Sequence, residues 1–336
     1  MTPTLLVRLK LVATLVLAMT GFARAAGAAD ASPAQAVAAP LQQLAAMRLP
    51  RPEEGMILGA VRAGRRVVAV GDRGLVLLSD DDGKTYRQAK DMPTRATLTA
   101  VWAIDASTLW AVGHWGMMLV SHDADETWAI RRSDIARDQP LLSVCFMDAK
   151  HGVAAGLFSL LLVTDDGATW REVKLPAPTG GKKADLNLFQ AFADKRGGLW
   201  IAAEQGAVYH STDQGQSWSA LSTGSKGTLW SGLAADDGSI SVGGLQGKIL
   251  LSIDQGITWV PAETGTRSSI TSLVSLPGGK VLALALDGVT LVSEDGGAHF
   301  APRRAVDQRA FTAAVVDAGG KTLLFSQTGV VLDQSH

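Results

Sequence analysis

The residues able to do chemistry in this 336-residue chain are few, and their spacing tests each chemistry in turn. A tyrosine with a glutamate partner can serve as the nucleophile of a glycosidase, given a further acid and arginines to clamp an anionic sugar. Tyr86 and Tyr209 are the only tyrosines, and Glu204, the one candidate acid, falls in a tight turn where a solvated carboxylate needs no catalytic role. His114, His122, His151, His210, His299 and His336 show neither an H-E-x-x-H nor an H-x-H spacing that would bring two imidazoles to one metal. Asp80-Asp81-Asp82-Gly83 resembles the start of a calcium loop but lacks the later oxygen ligands and the terminal glutamate. Cys145 is the sole cysteine, which excludes an intrachain disulfide and a cysteine metal cluster. No glycine-rich phosphate loop occurs. The expectation is no catalytic residue, no metal and no cofactor.

What these residues share is a recurring phrase. Ser211-Thr212-Asp213-Gln214-Gly215-Gln216-Ser217-Trp218 returns as Ser252-Ile253-Asp254-Gln255-Gly256-Ile257-Thr258-Trp259, and more loosely in residues 79–86, 121–128, 163–170 and 293–300. Its closing aromatics are Tyr86, Trp128, Trp170, Trp218, Trp259 and Phe300, spaced 42, 42, 48, 41 and 41 residues apart. A period near forty signals a repeat architecture. Physically the phrase is a turn between two strands. The aspartate accepts backbone N–H groups of its own turn, glycine supplies a positive φ, and the aromatic packs beneath. The structural aspartates are read as Asp81, Asp123, Asp165, Asp213, Asp254 and Asp295. Copy two has Asp125 at the glycine position, and copy three has Val163 at the serine position, so the serine hydroxyl is expected to be dispensable.

Around each latch the sequence reads as an apolar strand, a turn, a second strand ending in a small residue, a tight turn and a third strand. Four-stranded units of this length are the signature of a β-propeller. A seventh repeat begins, but its latch would start at Gln334, two residues before His336, so it lacks a fourth strand. The expected fold is all-β: a seven-bladed propeller over residues 53–336, its last blade closed by a strand from the segment before Met56, because a ring must protect its edges. The longer 48-residue step holds a surface loop near residues 176–185.

The first 25 residues read as a secretory signal: Arg8 and Lys10, the apolar run 11–19, then Ala23-Arg24-Ala25 as a cleavage site. Residues 26–52 read as a linker that contributes the closing strand. No lipobox cysteine is available for a lipid anchor. The mature chain is expected to be periplasmic or otherwise exported, soluble, monomeric and without a membrane span. Without the signal it carries 28 basic and 32 acidic residues, which argues against nucleic acid as a partner.

The repeat Ala111-Val112-Gly113 to Gly116, Ser121-His122-Asp123 and Thr127-Trp128, with its relative Val68-Ala69-Val70-Gly71-Asp72-Arg73-Gly74, resembles the BNR or Asp-box proteins. Among these it is similar to the photosystem II stability/assembly factor family and its exported relatives in non-photosynthetic bacteria, over residues 55–332. The resemblance implies a seven-bladed propeller that binds protein partners in the periplasm or thylakoid lumen, and some bacterial relatives are associated with RND-type exporters. Others carry a glycosyl hydrolase label, and sialidases also set Asp-boxes on propellers. A sialidase-like hydrolase or a carbohydrate-binding protein is therefore the alternative, although no Arg-Ile-Pro tripeptide occurs.

A membrane-associated protein partner is expected to dock on the face opposite the latches. The turns between second and third strands there include Asp72-Arg73, His114-Trp115, Leu157-Phe158 and Glu204-Gln205. Such turns need only small or polar residues, so Trp115 and Phe158 exceed what the turn requires and suit binding anchors. Loops between blades are expected to add Arg303, Arg304 and Arg309, which with Arg73 form a basic sector. An arginine-rich partner surface is also what the family resemblance implies.

Overall fold

The computed structural model describes residues 43–123, 126–178 and 185–331. All belong to one compact unit, residues 39–336. Seven antiparallel sheets follow one another along the chain, six of four strands and a last of three, each meandering outward from the axis. Blade four is representative: Leu188–Ala193, Leu199–Ala203, Ala207–Ser211 and Ser219–Ser222. Its second strand, Leu-Trp-Ile-Ala-Ala, is buried on both faces. A strand flanked by a neighbouring blade on each side must read as a continuous apolar run, and the same holds for Leu109–Gly113, Gly152–Gly156, Ile240–Gly244 and Val281–Ala285.

The core is correspondingly divided into seven clusters, each lying between two adjacent blades. One of them closes the ring, uniting Ile57, Val67 and Leu77 of blade one with Ala313, Val315 and Phe325 of blade seven. The cluster between blades six and seven is thin. It holds three fully buried residues, Leu282, Leu284 and Phe311, where the others hold eight to fifteen.

Residues 43–55 do not supply the expected closing strand, and the rest of that segment, residues 26–42, lies outside the described residues. Among the described residues the seventh sheet is Phe311–Val316, Thr322–Ser326 and Gly329–Val330, and nothing before Met56 joins it. Of this segment, the turn Pro52–Glu54 meets blade seven as a loop. In blades one, four and five the glycine ending the second turn lies against the following inter-blade loop, so that a Cβ on Gly74, Gly206 or Gly247 would sit 2.0–2.2 Å from Thr94 O, Ser225 O or Thr266 O. At Gly329 the equivalent atom is Glu53 O, at 2.1 Å, within the 3-10 turn Pro52–Glu54. Residues just before it lie along blade one instead: Ala46 N–H donates to Met92 O at 2.9 Å and Gln88 Nε2 to Met47 O at 2.7 Å. The signal, the linker up to residue 42, Asp125 and most of the long loop fall outside the described residues. No helix among the described residues is long and apolar enough to cross a membrane.

Candidate partner-binding face

The latches define one rim. In blade four Asp213 Oδ1 accepts from Ser211 Oγ at 2.8 Å and Ser217 N at 2.9 Å, while Oδ2 accepts from Ser217 Oγ at 2.6 Å. Ser211 Oγ accepts Gly215 N–H at 2.9 Å, and Trp218 Nε1 closes on Gly215 O at 3.1 Å. The aspartate keeps these partner positions at Asp81, Asp123, Asp254 and Asp295, with His299 Nδ1 taking the place of the second hydroxyl at Asp295. With these donors fixed in place, the carboxyls of Asp81 and Asp213 fall to about 2, first through the Thr85 and Ser217 hydroxyls and then through the N–H groups of the same residues.

Copy three corrects the sequence reading. Its latch aspartate is Asp166, which accepts from Thr164 Oγ1 at 3.1 Å, Thr169 N at 2.7 Å and Thr169 Oγ1 at 2.7 Å. Asp165 instead faces Arg171 and Gln216. The turn is one residue shorter than the others, so counting back from Trp170 overshoots to Val163. A hydroxyl therefore stands at the first position of all six latches, and it is part of the turn.

Asp80 pairs with Arg66 and Arg87, and Asp82 lies 3.2 Å from Arg62, so the three carboxylates of the apparent calcium loop face different partners. Glu204 is not a free turn acid. It accepts Asn187 N and Nδ2, both at 3.0 Å, and thereby ties a turn to the loop leading into its own blade. Tyr209 is fully buried in a third strand, and Tyr86 lies at the latch rim, away from Glu204.

The opposite rim carries the turns between second and third strands. Their middle residues share one backbone state and little else: Arg73, Trp115, Phe158, Gln205, Gln246 and Asp287 have φ of 54° to 61°. Phe158 is 53% exposed. Trp115, expected as a second projecting anchor, is half-buried against the core between blades one and two, and its carbonyl accepts Asp134 N–H at 2.7 Å. Arg73 lies 3.4 Å from Asp72, and Arg309 is held by Asp307. Arg303 and Arg304 are not in an inter-blade loop. They belong to the exposed fourth strand of blade six, Ala301–Arg304, because that strand runs two residues further than its counterparts in blades one, three and five.

Sequence reasoning missed the channel. In every blade the register of the first strand slips at its second residue: Leu58, Thr99, Leu142, Phe189, Trp230, Thr271 and Thr312. A bulge re-aims its side chain, and all seven line a central cavity of about 270 Å³. The threonines stitch blades together, as when Thr312 Oγ1 donates to Ile57 O at 2.8 Å across the ring closure. The other four leave an apolar wall. The signal was present in the repeat, because each of these residues directly follows the buried apolar residue that opens its blade.

A ring of seven blades, six of four strands and one of three, with Asp-box latches on one rim defines a BNR-type β-propeller. The profile of the photosynthesis system II assembly factor YCF48 matches residues 88–294, and the chain belongs to that family. Photosystem II assembly lipoprotein Ycf48 of Synechococcus sp. (strain CC9902) is 36% identical over 81 residues, which span 24% of this chain and 23% of that relative. Among solved structures, YCF48 bound to D1 peptide superposes with a TM-score of 0.67 at 17% identity, covering 86% of this chain and 96% of the other. YCF48 from Cyanidioschyzon merolae gives 0.65 at 15%, covering 84% and 95%. A streptogramin B lyase gives 0.69 at 10%, covering 84% and 94%, so the same ring also occurs in an enzyme and the fold by itself does not decide between binding and catalysis.

Proposed function

We propose that this chain is an exported accessory or assembly factor that binds a membrane-associated protein through the face opposite its latches and performs no chemistry of its own. The observation that carries this reading is Phe158, a large apolar side chain left 53% exposed on a backbone at φ 56°, on the face where the channel with Phe189 and Trp230 begins. A turn gains nothing from phenylalanine in that state, so the side chain has another use. A relative solved with a D1 peptide supports a protein ligand, and a relative named as a lipoprotein supports a site of action beside a membrane. In a host without photosystem II the equivalent client is a membrane complex such as an RND-type exporter.

Capture from a detergent-solubilised inner-membrane fraction, read by mass spectrometry, tests the proposal. The mature chain should retain a specific membrane protein, Phe158→Ala should weaken retention at any salt, and Arg73→Ala should weaken it only at low salt. Undiminished capture by both folded variants would move the site, and turnover of fluorogenic sialosides by the pure protein would replace the binding role with a catalytic one.

A further inference from the structure

Blade seven departs from its own repeat, and several observations meet there. Val331 N–H donates to Leu324 O at 3.0 Å, so the alternation of an antiparallel ladder turns the N–H and C=O of Val330 to the outer side. In other blades the outward carbonyl of the third strand, or of the residue opening it, is taken by the fourth: Val76 O by Ala89 N at 3.0 Å, Leu161 O by Val173 N at 2.9 Å, Ile249 O by Ala262 N at 2.9 Å. Among the described residues no strand lies outside Val330. The second strand of this blade is also only half-buried over Thr322, Leu323 and Leu324, where its counterparts are closed.

Among the described residues this position is a groove of about 390 Å³ between blades six and seven, reaching the latch of blade one. Leu282, Val292, Leu323 and Val331 give it apolar walls. Tyr86 also lines it, with a hydroxyl that is buried without a hydrogen-bond partner among the described residues. Arg303, Arg304 and Lys321 also line it, and among the described residues no carboxylate does. None of the three cations has an ion-pair partner among the described residues. Residues 47–49 lie along blade one, where Leu49 N–H and Met47 O are both bonded to Gln88.

We propose that the groove accepts an extended acidic segment of a protein partner, which adds as the fourth strand of blade seven. Main-chain pairing to Val330 would give affinity, alternate aliphatic side chains would fill the apolar walls, and glutamate or aspartate would meet Arg303, Arg304 and Lys321. The inference rests on the protein-binding reading but uses a surface separate from the Phe158 face.

The test is fluorescence anisotropy of the full mature chain with a labelled synthetic peptide alternating valine and glutamate. We expect saturable binding, at least about tenfold weaker when lysine replaces glutamate or when Arg303→Ala and Arg304→Ala are combined. Methylating alternate peptide amides should abolish it, which distinguishes strand addition from charge attraction. Thr290→Trp, which fills the groove, should also abolish it, and the arginine pair keeps the test decisive if that variant fails to fold. Failure of the acidic peptide to bind, or equal binding of the methylated one, overturns the proposal. Binding that appears only after deletion of residues 26–42 would give the groove to the chain's own segment, and dimerisation lost in Thr290→Trp would give it to a second copy; either result also overturns it. Membrane-protein capture that survives Thr290→Trp but not Phe158→Ala would sink the groove alone and leave the protein-binding reading standing.

Discussion

The two rims of the ring are built by opposite rules. On the latch rim the side chains recur: each aspartate is answered by a hydroxyl two residues before it and by a second polar side chain three or four residues after it, a hydroxyl in five copies and the His299 imidazole in the sixth. On the other rim the backbone recurs, with six turns at φ near 55–60°, while the residue placed there is arginine, tryptophan, phenylalanine, glutamine or aspartate. Where side chain and backbone repeat together, the side chain makes the backbone possible. Where only the backbone repeats, the side chain is free of that duty and available to a partner.

The strongest way to break this comparison is to truncate one aromatic from each rim. Trp218 is 9% exposed within the core between blades three and four. Trp218→Ala should cost about 3–5 kcal/mol, whereas Phe158→Ala should cost less than about 1 kcal/mol, because little packing is lost at an exposed site. Urea denaturation of the two variants reads both values. Similar losses would mean that Phe158 is as much a part of the fold as the latch tryptophan.

A smaller effect comes from the latch carboxylates. Their folded-state values lie below the ordinary 3.8, near 2 for Asp81 and Asp213, so the folded state releases protons that the unfolded chain still holds. The stability they contribute is complete above about pH 4 and is lost as the pH falls toward about 2. The melting temperature should therefore drop across that window, and less steeply in Asp213→Asn. The corrected third latch sharpens the point: Asp166→Ala should lower the melting temperature, and Asp165→Ala should hardly change it. The reverse ranking would restore the eight-residue spacing in copy three.

Most of the fold was legible because the latch is a local device, complete within eight residues and repeated often enough to set the blade count. The failures lie where one repeat deviates from the rest. Copy three has lost a residue between aspartate and glycine, and a fixed count cannot detect that. The closing segment obeys the repeat in part, since Glu53 stands where Thr94 stands, but residues 46–49 then bond to blade one, a choice made by tertiary contacts with Gln88 and Met92. The candidate site was read only partly. Turn chemistry located Phe158 and Trp115 on the rim opposite the latches, yet whether an aromatic projects or leans on the core depends on its neighbours. The channel residues were hidden because a bulge re-aims a side chain without changing the apolar pattern.

The finest separation of the two rims uses glycine. Gln246 is exposed at φ 61°, and its backbone N–H is held by Ser269 Oγ at 3.2 Å, a bond that glycine keeps. Gln246→Gly should raise stability by about 0.5–1 kcal/mol, the relief of left-handed strain reduced by the extra freedom glycine gives the unfolded chain. Phe158→Gly should follow the same sign for the same reason, since its φ is 56° and its N–H donates to Asn187 Oδ1 at 2.9 Å, a bond that glycine keeps. The two variants should then part in function: Gln246→Gly captures the membrane partner as the wild-type chain does, and Phe158→Gly, though at least as stable, captures less. A loss of stability in Phe158→Gly would show that the ring is retained for packing, and with that the second rim would follow the same rule as the first.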